Sequence, residues 1–124
     1  MLNLQSTILP QLSALFPVNN KQAQIALATV LLNYAVVYTS KKVDNEGQAI
    51  CMSLCLLFLQ GMTDSEAQFR NMVTLGTLLV TGDGDSNMKE AKNLEAKDKV
   101  EAVKMIDTSE KVQKCAQALL SSGI

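Results

Sequence analysis

Histidine and tryptophan are absent from the 124 residues, and aromatic residues make up only 4% of them. Without histidine the chain lacks the commonest general base, the commonest metal ligand and the side chain that titrates near neutral pH. No serine or cysteine has an imidazole to activate it, and the carboxylates fall in exposed, lysine-mixed segments. An enzyme is therefore not expected, and no cofactor is called for. An excess of either charge is missing too. The net charge is −1 with no basic block, which argues against an electrostatic grip on a nucleic-acid backbone.

Cysteine and proline are also scarce. Three cysteines are too few and too badly placed for a disulfide framework. Cys51 and Cys55 lie four apart on one helical face inside an apolar run, with Cys115 remote, so they read as buried free thiols of a reducing compartment. They have no histidine or second cysteine pair with which to close a zinc site. Asp83-Gly84-Asp85-Ser86-Asn87 mimics the start of a calcium loop, but Met88 and Leu94 stand where that loop needs glycine and a bidentate glutamate. No metal is expected. Both prolines, Pro10 and Pro17, fall near the start of the chain.

No basic start precedes the apolar residues of Met1–Leu9, so a signal peptide is not expected. The longest uncharged stretch, Ala23–Ser40, carries Gln24, Thr29 and Asn33 and falls short of the roughly 20 apolar residues a bilayer needs. It reads as a helix covered by its neighbours. A cytoplasmic or nuclear protein without membrane contact is expected.

What the chain does have is aliphatic residues in helical register. Apolar residues are 48% of the total, drawn from Leu, Val, Ala and Met, which lose little on entering a helix or pack well within one. The length suits one domain over 1–124. Leu4, Ile8, Leu12 and Leu15 mark a first helix bent or split by Pro10, and Pro17 with Asn19-Asn20 marks a turn. Lys21–Ser40 follows as a long helix. Lys41–Gly47 is a polar connection, and Gln48–Leu59 a helix ending at Gly61. Thr63-Asp64-Ser65-Glu66 has the capping-box pattern with Thr63 at the N-cap, opening a helix from Asp64 to about Thr81. After the loop Gly82–Asp85, Asp85 or Ser86 caps a helix over Met88–Ala96. Val100, Val103 and Ile106 keep a helical period through the charged stretch beyond. Asp107-Thr108-Ser109 starts a last helix, Lys111–Leu120, closed by Gly123. No segment alternates with period two, so the fold class is all-α.

An internal repeat narrows this further. Gln24–Val37 laid over Gln68–Thr81, an offset of 44, brings Gln24 to Gln68, Ile25 to Phe69, Leu31 to Leu75 and Val36 to Val80. That offset falls within the period of armadillo and HEAT repeats, roughly 40–47 residues. An armadillo-like helical stack of about two repeats plus capping helices is expected. In such stacks the long last helix of each repeat lines the concave surface, where extended peptides bind.

One face of the first copy carries Ala26, Thr29, Asn33 and Val37. The same face of the second carries Arg70, Val73, Thr77 and Thr81, with Thr74 at its edge. The peptide-binding candidates are therefore Arg70, Asn33, Thr74, Thr77 and Thr29. Asn33 can hold a peptide group through its amide, or it can bridge backbone inside the stack. Arg70, the only arginine in the chain, has a fork suited to a carboxylate, including a chain terminus, or it is a solvated or locally paired residue. Gly76 in mid-helix costs about 1 kcal/mol against alanine, and close approach of another helix is the expected reason for it.

Several of these segments resemble a known module: Ile25-Ala26-Leu27-Ala28-Thr29, Leu32-Asn33-Tyr34-Ala35, Glu46-Gly47-Gln48-Ala49, and Glu66-Ala67-Gln68-Phe69-Arg70 leading into Val73–Leu78. They are similar to the C-terminal PUL domain of the phospholipase A2-activating protein and ubiquitin-fusion-degradation family, from about Asn20 to Leu120. The resemblance implies an armadillo-like adaptor in ubiquitin-dependent protein turnover. Such an adaptor binds the acidic C-terminal tail of the valosin-containing AAA ATPase, with no phospholipase chemistry. It implies that Arg70 lines the tail-binding groove and that Asn33 belongs to the family's Asn-Tyr pair. Ubiquitin would be reached only through other domains of the parent protein. The family's domains are about twice as long, with a second groove-lining basic residue in the missing N-terminal half. The chain therefore resembles the C-terminal part of a longer PUL domain. The alternative is a structural helical-repeat spacer or self-association element.

Overall fold

The computed structural model describes residues 20–40, 45–81 and 84–124. The expected Leu2–Leu15 helix, the turn at Pro17, residues 41–44 of the polar connection and residues 82–83 of the loop lie outside them. The described residues form six α-helices and no strand: α1 Lys21–Ser40, α2 Asn45–Gly61, α3 Ser65–Val80, α4 Gly84–Asn93, α5 Ala96–Ile106 and α6 Glu110–Ser121.

The repeat is visible in where the helices begin. From Lys21 to Ser65 is 44 positions and from Ser65 to Glu110 is 45, so α1, α3 and α6 are equivalent helices of successive units. The third copy escaped the sequence comparison because it is short and closes early. α3 packs between α1 and α6, while α2 packs on α5 behind them, and α4 joins α2, α3 and α5. The result is an all-α, armadillo-like stack. Its core is a single cluster that includes Leu31, Met52, Phe58, Leu75, Val100 and Val112. Cys51 and Cys55 are buried in it and form no disulfide. Removing a side chain of this kind, as in Leu31→Ala, costs about 2–5 kcal/mol through lost burial and the cavity left behind.

The corners are held by side-chain amides near the starts of helices. A helix C-terminus leaves four carbonyls without intrahelical donors. Gln68 Nε2 donates to the carbonyls of Leu59 (3.0 Å) and Met62 (2.8 Å), closing the end of α2. Gln113 repeats this one unit on, donating to Lys104 (2.6 Å) and Asp107 (2.7 Å) at the end of α5. Asn87 Nδ2 donates to the Leu78 carbonyl (2.7 Å) and to Gln48 Oε1 (2.8 Å), and Gln48 Nε2 donates to the Tyr38 carbonyl (3.2 Å). Uncovered carbonyls in a core cost about 1–3 kcal/mol each, so these polar side chains are structural.

Helix boundaries moved for the same reasons. The N-cap of α3 is Asp64, whose carboxylate accepts from the Ala67 N–H at 3.0 Å, and Thr63 is not the cap. The Thr63 and Asp64 N–H groups both donate to Gln24 Oε1 at 2.9 Å, which fixes Thr63 outside the helix. α4 starts earlier than expected because buried Asn87 is already inside it. It ends at Leu94-Glu95, where Glu95 adopts a left-handed conformation (φ 59°, ψ 44°) that separates α4 from α5. Asn20 caps α1 through the Ala23 N–H at 3.0 Å, and Gly123 (φ +101°) terminates α6 as expected.

Among the described helices, α1 alone is long and apolar enough to cross a membrane by length and composition. It packs on α2 and α3 and buries Leu27, Leu31, Ala35 and Tyr38. The same helix leaves Val30, Val36 and Val37 exposed.

Candidate functional site

α3 packs on both α1 and α6, and a trough runs where the three helices meet. Its apolar length is a cleft of ≈630 Å³ lined by Val36 of α1, Val73, Gly76, Thr77 and Val80 of α3, and Ala118 of α6. On α3 these residues continue the stripe that begins at Glu66 and Arg70, and on α6 the stripe that begins at Lys111. The trough thus has an apolar length and a charged end at the helix N-termini.

At the charged end Arg70 lies on the trough side of α3. Its Nε donates to Glu66 Oε2 (2.9 Å), one turn back, and its Nη1 reaches across to Thr29 Oγ1 on α1 (2.6 Å). Lys111 Nζ approaches the other Glu66 oxygen, Oε1, at 2.8 Å. The same ammonium stands 4.4 Å from the centroid of the Phe69 ring. One carboxylate therefore bridges two cations from neighbouring repeats, leaving the cluster with one surplus positive charge. The hydrogen bond from Lys111, and then that from Arg70, hold the Glu66 carboxyl below its ordinary pKa of 4.5.

The five sequence candidates separate here. Arg70 and Thr29 meet, but Thr29 is a positioning residue: its hydroxyl donates to the Ile25 carbonyl (2.7 Å) and accepts from Arg70. Thr77 lines the cleft, with its proton given to the Val73 carbonyl (2.8 Å), so its oxygen faces the trough as an acceptor. Asn33 is exposed one turn beyond Thr29, on the rim, and does not line the apolar cleft. Thr74 is a correction. It is 0% exposed and its hydroxyl donates to the Arg70 carbonyl at 3.0 Å, so a bound chain cannot touch it. One step of about 100° per residue separates position 74 from half-buried Val73 and turns it into the interior.

Sequence reading missed Lys111 and Glu66. Both are the second residue of their helices, and recognising the third repeat would have aligned them. Gly76 is a second correction. An added Cβ would find Leu119 Cδ2 at 3.8 Å, an ordinary contact, so no close helix approach requires the glycine. Its missing side chain instead leaves the trough floor open. Cys115 lines the same cleft, and burial raises its thiol pKa, so it acts as apolar wall. No group of three or more His, Cys, Asp or Glu side chains that could hold a metal ion occurs among the described residues.

Three equivalent helices spaced by one armadillo period, with a shared trough between them, define a helical-repeat module. Residues 1–118 match the PUL domain family. The chain is also 37% identical over 118 residues to phospholipase A-2-activating protein of Xenopus laevis, an alignment covering 94% of this chain and 14% of that protein. The chain belongs to the PUL domain family.

Proposed function

We propose that this chain is a non-catalytic adaptor that binds the acidic C-terminal tail of the valosin-containing AAA ATPase in ubiquitin-dependent protein turnover, in the cytoplasm or nucleus. The tail lies along the trough, its carboxylates at Arg70 and Lys111 and its apolar groups between Val36, Val73 and Ala118. Thr77 accepts from a backbone N–H of the bound chain. Ubiquitin is engaged by other parts of the parent protein. The observation that carries this reading is the pairing of two cations, from α3 and α6, at one end of an apolar trough. Membership of the PUL domain family supports a protein-interaction role.

The test is a calorimetric titration of the full chain with a synthetic peptide of the ATPase tail, against the same peptide with Asp and Glu replaced by Asn and Gln. Micromolar binding of the acidic peptide and none of the neutral one is expected. Equal binding of both would remove the basic end from the site.

A second reading, a helical spacer or self-association element, is favoured by the exposed Val30, Val36 and Val37 on α1. These residues suit a further layer of the stack, as in the C-terminal part of a longer domain. Concentration-dependent dimerisation in light scattering, with no acidic peptide bound, would decide for it.

A further inference from the structure

We infer that Glu66 is a built-in carboxylate occupying the anion seat of the unliganded chain, and that an acidic peptide docks by displacing it. The inference rests on the trough being a peptide site, and it makes Glu66 the residue that sets how acidic a ligand must be.

The geometry is that of a bound carboxylate. Each Glu66 oxygen meets a different cation, Oε2 at Arg70 Nε (2.9 Å) and Oε1 at Lys111 Nζ (2.8 Å). An incoming carboxylate in the trough would seek these same two donors.

Both cations also have a second holder that does not depend on Glu66. Arg70 is fixed by Thr29 at 2.6 Å, and the Thr29 hydroxyl is itself anchored on the Ile25 carbonyl. Lys111 rests on the Phe69 ring. When Glu66 turns away the seat therefore keeps its shape. Glu66 is free to turn because it stands in the first turn of α3 with a side chain 34% exposed. Its rotation into solvent opens no core.

A tethered carboxylate competes at a high effective concentration. A lone weak acid does not displace it, whereas a peptide that also grips the apolar length of the trough does. Glu66 thereby suppresses capture of stray anions and reserves the seat for a chain that satisfies both parts of the trough.

The test is calorimetry of the full chain and its Glu66→Gln variant with the acidic ATPase-tail peptide and, separately, with sodium acetate. Glutamine keeps the side-chain length and an oxygen that can accept from Arg70 Nε, and circular dichroism on heating verifies that the variant is folded. The peptide should bind Glu66→Gln about tenfold more tightly, the scale of one charge-assisted hydrogen bond released at a partly exposed site. Acetate binding should become detectable only in the variant. A second measurement needs no mutation. In the unaltered chain the Arg70 Nε–H resonance should shift as peptide is added, because its acceptor changes. Peptide binding with unchanged affinity in Glu66→Gln and an unmoved Nε–H resonance would overturn the displacement while leaving the peptide site intact. Failure of the peptide to bind either form would overturn the site and the displacement together.

Discussion

Glu66 and Lys111 are the second residues of α3 and α6, and their side chains meet at 2.8 Å across the boundary between successive repeats. Repetition brings equivalent positions alongside one another, so a charge difference between two units becomes a contact. Arg70 joins the pair from one turn further along α3. The charged end of the trough is therefore a product of the repeat itself, assembled from three helix-surface residues that need no loop to place them.

Arg70→Ala should weaken binding of an acidic tail peptide. A charge-assisted hydrogen bond contributes about 1.5–3 kcal/mol in general. Here Arg70 gives up its partnership with Glu66 to make it, which points to the lower end and roughly tenfold in affinity. Lys111→Ala should act in the same direction and by less, since an ammonium lacks the fixed fork. Titration of the peptide against each variant at low and raised salt checks this. Both losses should shrink as salt rises.

The Glu66 cluster also sets a pH dependence. The folded carboxyl, stabilised by Lys111 and then Arg70, has its pKa below the ordinary 4.5. Its contribution to stability is therefore fully present above that ordinary value and is lost as pH falls through the depressed one. The pairs are about one-third exposed or more, so the contribution stays within about 1 kcal/mol. Urea unfolding of the chain and of Glu66→Gln at pH 7 should differ by that small amount. The two curves should converge as pH falls through the depressed value. A difference that persisted once the carboxyl is protonated would mean the substitution acts through packing.

Gly76→Ala should raise stability by about 1 kcal/mol, by helix propensity and by narrowing the unfolded ensemble. The methyl meets Leu119 Cδ2 at 3.8 Å and displaces nothing. A rise of a few degrees in the thermal midpoint would register it. Because Gly76 lines the cleft, the same variant should bind tail peptide less well. A stabilised chain with weakened binding would separate the two effects of one methyl.

How much of this was readable beforehand follows from the kind of interaction involved. α1 matches the expected Lys21–Ser40 because apolar spacing and Asn20 capping are local. The 44-residue offset was legible because the matched positions are glutamine or apolar in both copies, and both glutamines hold the same α2–α3 corner. Thr63 was misread as the cap because Gln24, 39 positions away, takes its N–H. The break at Glu95 was invisible because no glycine or proline marks it, and a left-handed glutamate is uncommon. Arg70 could be singled out as a lone arginine. Its partner Glu66 is local, four residues back on α3, whereas Thr29 and Lys111 depend on how three helices stack. Thr74 failed because a stripe one residue too wide crosses from surface to interior.

The repeated corner supplies a final prediction. Gln68 and Gln113 each donate to the carbonyls nine and six positions earlier, so the two amides perform the same closure in successive repeats. Their surroundings differ. Gln68 is 3% exposed, and its Oε1 also accepts from buried Asn71 (3.0 Å), whereas Gln113 is only half-buried. Gln68→Ala strands the Leu59 and Met62 carbonyls and the Asn71 amide away from water, and should cost about 2–4 kcal/mol. At Gln113 water can replace the lost donor, so Gln113→Ala should cost about 1 kcal/mol. Hydrogen exchange should separate them further. Without Gln68 the end of α2 and the start of α3 lose protection together, because the corner belongs to both, and the trough loses its middle helix register. Loss of Gln113 should loosen only the α5–α6 corner. If the two substitutions proved equal in cost, solvent access would not be the variable that grades these corners, and the stack would have to be held by its aliphatic contacts alone.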